Sequence, residues 1–173
     1  MNLILSKLSV GDLRTTNASN EVVKQVLGKP ELFNELFLGL TNDNPGIRMR
    51  SADALEKISL KKPVLLQPFK KQLLEIGKNS TQQEVQWHIA QMLAYLEFTP
   101  KEREEVIKIL NHYLGTTKSN IVKVFSLQTL TELCEDNPKM RNALIQTIIK
   151  EMRSGSPAVI SRGQKLLKRL NPK

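Results

Sequence analysis

The chain has 173 residues, with 26 Lys and Arg against 17 Asp and Glu, a formal charge of +9 at neutral pH. At 40% apolar and 25% charged it has the composition of a folded chain rather than a disordered one, while 5% aromatics and 8 glycines disfavour a β-sandwich or barrel. The single cysteine, Cys134, excludes an internal disulfide framework and makes a reducing, cytoplasmic location the expectation.

The first elements stand outside any repeat. The apolar stretch Leu3 to Leu8 is too short for a membrane span or a signal sequence, so no membrane partner is expected, but it suits a short helix. Ser19 or Asn20 is placed to cap a helix from Glu21 to Leu27, closed by Gly28 and Pro30. Residues 1–29 therefore read as a non-repeating helical cap over the exposed side of the first repeat.

From residue 30 onward one pattern recurs. Ile47, Ala52, Leu55 and Ile58 are succeeded at the same internal spacing by Val85, Ala90, Leu93, Leu96, then Val122, Leu127, Leu130, Leu133, then Val159, Gln164, Leu167, Leu170. At about 100° per residue these offsets cluster on one side of a helix, not along a strand. A second series precedes the first: Leu32, Phe69, Val106 and Leu144, each paired four residues later with Leu36, Leu73, Leu110 and Ile148. Two series in one register predict four two-helix repeats, at 30–60, 61–98, 99–135 and 136–173, in a single domain spanning 1–173. The punctuation agrees. Thr99-Pro100-Lys101-Glu102 is a capping box with proline at the first helical position, and Asn137-Pro138 gives the same start signal. Asn42 to Gly46, Gly77 to Gln83, Gly115 to Asn120 and Ser154 to Pro157 read as the breaks between the two helices of each repeat.

The first repeat carries a recognisable local motif. Asp43-Asn44-Pro45-Gly46-Ile47-Arg48, together with Ala52, Ala54 and Leu55, resembles the HEAT-repeat signature. Thr81, Lys118 and Gly155 replace Asp43 in the later copies, and Gln86, Lys123 and Ile160 replace Arg48, so an Asp-to-Arg link is expected in the first repeat alone. Asp12 to Thr16, Arg48 to Lys57 and Val85 to Met92 resemble small bacterial HEAT-repeat proteins of unassigned role. The resemblance implies an all-α fold, a right-handed α-α superhelix, in which the second helix of each repeat lines a concave face. It implies no activity.

On such a face the positions turned away from the buried stripe would meet a partner. They gather Arg50, Asp53 and Lys57; Trp87, His88, Gln91 and Tyr95; Phe125, Gln128 and Glu132; and Arg162, Lys165 and Arg169. Aromatics placed off the stripe in a chain with so few of them suit a peptide or nucleotide contact, the alternative being that Trp87 and Phe125 fold over onto neighbouring helices. The partner-binding set is therefore read as Arg50, Trp87, His88, Gln91, Tyr95, Phe125, Gln128, Arg162, Lys165 and Arg169. Charge is uneven. Residues 118–173 hold eleven Lys or Arg against four Asp or Glu, a local field able to attract phosphate or an acidic surface.

Catalytic chemistry finds little footing. His88 and His112 lie at non-equivalent positions with no Cys or carboxylate at ligand spacing, so neither a metal nor another cofactor is expected. His88 reads as a surface or interface residue and Cys134 as a buried, inert thiol. No glycine-rich phosphate loop or nucleophile elbow is present. The chain thus reads as a non-enzymatic interaction module that takes a protein or peptide on its concave face. The alternative is nucleic-acid binding through the basic C-terminal repeat, since the alkylpurine DNA glycosylases built on HEAT-like repeats are similar in architecture and charge sign. A basic stripe running across successive repeats would favour nucleic acid; cations confined to the last helix would favour a protein.

Overall fold

The computed structural model describes residues 3–9, 17–134 and 136–171, and all regular structure among them is helical. The chain divides into two compact units, Met1–Glu97 and Phe98–Lys173. Residues 12–16, one of the three segments that carry the bacterial resemblance, lie outside the described residues.

The N-terminal unit contains α1 (Leu3–Lys7), α2 (Asn17–Gly28), α3 (Phe33–Leu38), α4 (Pro45–Lys61), α5 (Lys70–Asn79) and α6 (Gln83–Leu93). Its core is α4, packed against α2 on one side and α6 on the other. Asn44 caps α4, its Oδ1 accepting from the amides of Gly46 at 2.8 Å and Ile47 at 3.3 Å, and Pro45 fills the first helical position where no amide is needed. Prolines shape the first helices differently. Pro30 and Pro63 each open a single 3-10 turn and Pro68 is the second residue of another, so the first helix of each of the first two repeats is broken at its start. Leu32 and Phe69 end such turns half-buried, and Phe69 packs on Phe33 and Phe37 with ring centroids 5.4 and 4.6 Å apart. Gly39 lies where α4 presses on the turn after α3. A Cβ there would overlap the Ser51 hydroxyl and come within 2.8 Å of Leu5 Cδ2.

The C-terminal unit contains α7 (Pro100–Thr116), α8 (Asn120–Cys134), α9 (Pro138–Arg153) and α10 (Pro157–Leu170). Helix α8 packs on α7, α9 and α10, and α9 packs on α10. The Thr99 capping box forms: Thr99 Oγ1 accepts from the Glu102 amide and the Glu102 carboxylate accepts from the Thr99 amide at 2.8 Å. Asn137 and Ser156 cap α9 and α10 in the same way, each accepting from an amide of the first turn.

Three of the four stripes are buried throughout: Ile47 to Ile58, Val85 to Leu96 and Val122 to Leu133. The fourth is not. Gln164 is exposed and Leu167 half-buried, and the residues turned inward are Val159, Gly163, Leu166 and Leu170. Helix α10 is covered on one side by α8 and α9, so its buried face is narrow; Val159 and Leu170 lie on it as expected, while its middle falls one residue earlier, at Gly163 and Leu166. Gly163 lets it approach α9 closely, since a Cβ there would stand 2.6 Å from Met152 Cγ. Two further expectations shift. Helix α2 begins at Asn17, so Ser19 is inside it and buried rather than capping it. Gly77 and Gly115 sit inside α5 and α7, which run on by two and one residues.

Candidate functional site

The off-stripe positions of the N-terminal unit form a polar seam along α2, α4 and α6. Asp53 is its centre. Its carboxylate accepts from the Ser19 hydroxyl and from Lys57 Nζ at 2.7 Å, and His88 Nε2 stands 3.9 Å from its second oxygen. Lys57 Nζ also donates to Asn20 Oδ1 at 2.8 Å. Burial holds the His88 imidazole well below its ordinary pKa, near 4; the Asp53 carboxylate pulls upward and the Lys57 ammonium downward. The ring is therefore neutral at pH 7. Its Nδ1 is enclosed without a hydrogen-bond partner. Beyond it the Tyr95 hydroxyl donates to Glu56 Oε1 at 2.7 Å, which satisfies a carboxylate in a residue only 8% exposed.

Two members of the expected contact set are thereby withdrawn from the surface. Arg50 is 1% exposed, and its Nε donates to the Leu8 carbonyl at 2.6 Å. Packing of α2 on α4, with the turn after α1, encloses the face on which Arg50 lies. His88, expected at the surface or an interface, is buried on the α4 side of α6. The remaining members stay partly accessible. Trp87 is half-buried, its ring tilted 57° to that of His88 with centroids 5.5 Å apart. Gln91 is half-buried and donates to the Trp87 carbonyl at 3.3 Å; Tyr95 is half-buried as well.

In the C-terminal unit the seam is knit between α8 and α10. Gln128 Oε1 accepts from Arg162 Nη1 at 2.8 Å, and Gln128 Nε2 donates to Glu132 Oε1 at 2.7 Å. Glu132 also lies 3.9 Å from Arg169 Nη1. Phe125 stands half-buried at the same face, and Lys165 and Lys168 are exposed. Nearer α9, Lys123 Nζ meets Glu151 Oε2 at 2.6 Å, so the buried Glu151 carboxylate is paired. Cys134 is buried, and its thiol pKa is raised by burial, with Arg103 opposing; a thiol held protonated is a poor nucleophile.

These pairings share a feature that side-chain type alone did not flag. Ser19–Asp53 and Gln128–Arg162 are each 34 residues apart, Asn20–Lys57 is 37 and Glu56–Tyr95 is 39. Each joins residues about one repeat apart. Complementary polar residues at that separation were the signal that would have found the seam. The apolar stripes obscure it, because they mark what each helix buries and not what its neighbour offers. The contacts also show α2 meeting α4 as α8 meets α10, although α2 precedes the first repeat.

A cleft of about 440 Å³ opens at the other end of α4, lined by Asn42, Asp43, Arg48, Glu75, Asn79 and Gln82 among others. Arg48 Nη1 donates to the carbonyls of Asn42 at 2.7 Å and Asp43 at 2.9 Å, and Nε donates to Gln82 Oε1 at 2.8 Å. Arg48 thus meets Asp43 through the backbone carbonyl and not through the Asp43 carboxylate. A second, more apolar groove of about 330 Å³ lies between α3 and α5, walled by Phe37, Leu38, Phe69 and Ile76. Among the described residues no group of three or more His, Cys, Asp or Glu is placed to hold a metal ion. No family model, no curated protein and no solved structure matches this chain.

Proposed function

We propose that the chain is a HEAT-like α-α superhelix acting as a non-catalytic interaction module, and that it holds a protein or peptide on the face made by its second helices. The observation that carries this reading is the seam. Polar side chains about one repeat apart bond between α2 and α4, between α4 and Tyr95 just past α6, and between α8 and α10, and Trp87, Gln91, Phe125 and Lys165 emerge beside these bonds with surface to spare. Such a surface is stiff before a partner arrives, so little ordering entropy opposes binding. With Arg50 and His88 removed, the contact residues become Trp87, Gln91 and Tyr95 in the N-terminal unit, and Phe125, Gln128, Arg162, Lys165 and Arg169 in the C-terminal unit.

The charges favour a protein over nucleic acid. Arg50 is enclosed, Lys57 is paired with Asp53, and Arg162 and Arg169 are engaged by Gln128 and Glu132. The exposed cations of the seam are Lys165, Lys168 and Arg169, all on α10, rather than a stripe crossing several helices. Asp53, the carboxylate closest in sequence register to Trp87, is engaged at Oδ2 by both Ser19 and Lys57, within the seam between α2 and α4.

The test is a comparative capture from cell extract using wild type and Trp87→Ala, with melting points measured for both. Loss of specific prey at nearly unchanged melting temperature supports the module. Identical prey lists, or a Trp87→Ala protein that no longer folds, refute it. Salt separates the classes: nucleic-acid binding falls log-linearly with salt, at a slope set by the phosphates neutralised, whereas aromatic anchoring hardly responds.

A further inference from the structure

We propose that the turn joining α4 to α5 is a docking site for an anionic lipid bilayer, with Leu60 and Val64 dipping into the interface and Lys61, Lys62 and Lys71 meeting the headgroups. From Lys57 to Leu74 the chain carries five lysines and no Asp or Glu. Within that run Leu60 is 61% exposed and Val64 73%. Exposed apolar side chains cost solubility, and here two of them lie four residues apart at one end of the N-terminal unit.

The turn is held rigidly, so this exposure is built in. Leu66, between the two 3-10 turns, is fully buried. The Gln67 side chain grips the Glu97 backbone at both ends, accepting from its amide at 3.1 Å and donating to its carbonyl at 3.0 Å; Lys70 Nζ donates to the same carbonyl at 3.1 Å. Lys61, Lys62, Pro63, Val64 and Lys71 remain exposed around this anchor. The neighbouring carboxylates do not neutralise the patch. Glu56 faces inward to the Tyr95 hydroxyl, Glu75 pairs with Lys78 farther along α5, and Glu97 alone brings an exposed carboxylate to the anchor among the residues bonded there. The negative end of the α4 dipole accounts for a lysine at Lys61, but not for Leu60 and Val64 beside it.

A bilayer is the occupant that this chemistry fits. The cations are all lysines, point charges suited to a diffuse anionic plane, whereas protein interfaces are enriched in Arg, Trp and Tyr and depleted in Lys. Neither the polar cleft beside Arg48 nor the apolar groove between α3 and α5 is lined by any residue from Leu60 to Leu66, so neither of them receives the apolar tips. No helix among the described residues is long and apolar enough to cross a membrane, and contact with its surface needs none.

The experiment is co-sedimentation of the full chain with phosphatidylcholine vesicles and with vesicles containing phosphatidylserine. Wild type is expected in the pellet with the anionic vesicles only. At roughly fivefold in partitioning per lysine near the surface, Lys61→Glu combined with Lys62→Glu should lower binding by at least about 25-fold. Leu60→Ser with Val64→Ser should lower it several-fold and abolish the part that survives high salt. All four residues are exposed, so circular dichroism and melting should match wild type. A fluorophore attached through Val64→Cys, with Cys134 buried, should shift to the blue on anionic vesicles. Failure of wild type to sediment overturns the proposal. So does undiminished binding by both double variants, which would move the contact elsewhere. Binding of poly-glutamate without binding of vesicles would assign the turn to an acidic protein and equally refute the lipid site.

Discussion

Acid should destabilise the N-terminal unit through His88 in particular. The imidazole is enclosed between α4 and α6, and burial lowers its pKa from 6.5 to about 4 against the upward pull of Asp53. The folded protein therefore refuses a proton that the unfolded chain accepts. Above pH 6.5 both states hold the ring neutral and the penalty is zero. As pH falls from 6.5 towards 4 only the unfolded state gains the proton, so stability is lost through that window and levels off below it. At 1.36 kcal/mol per unit the loss attributable to this one group is about 3 kcal/mol. Carboxylates titrate in the same range, so the measurement must be a difference. Urea unfolding of wild type and His88→Leu, followed between pH 7 and pH 4, gives two curves, and their separation isolates the imidazole. Wild type should lose about 3 kcal/mol relative to the variant over the window, and the His88 ring protons should titrate near pH 4 by NMR. A separation that stays flat with pH, or a ring that titrates near 6.5, would show that His88 is solvated and that the seam is not closed around it.

Other substitutions test the packing. Leu93→Ala and Leu130→Ala, at residues 0% and 2% exposed, should each cost about 2–5 kcal/mol in denaturant unfolding; less than about 1 kcal/mol at both would mean that the stripe is not core. Gly39→Ala forces a methyl against the Ser51 hydroxyl and Leu5 and should lower stability by about 1–3 kcal/mol, although alanine is the better helix former, with the loss seen as a lower urea midpoint. Tyr95→Phe removes the donor to the Glu56 carboxylate and should cost about 1–3 kcal/mol in urea unfolding at neutral pH.

Local chemistry was enough to specify the helices. The stripes at Ile47, Val85 and Val122, the Thr99 capping box and the prolines that open α4, α7, α9 and α10 depend on residues within a few positions of one another, and the structure contains them where the pattern places them. The all-helical character of the described residues was legible for the same reason. The site was less so. Whether Arg50 meets solvent or the Leu8 carbonyl depends on where a segment some forty residues earlier comes to rest, and no pattern within α4 encodes that. The same holds for His88, whose neutrality comes from enclosure rather than from its neighbours in sequence. In α10 the apolar pattern placed Gln164 and Leu167 inside, yet a helix covered on one side turns its best apolar face, Val159, Leu166 and Leu170 with Gly163, towards the cover. Local sequence settles which segments become helices, because backbone hydrogen bonds and caps close within a turn. Tertiary structure decides which polar side chains are buried together, because that requires two distant helices to bring complementary groups out of water at the same place.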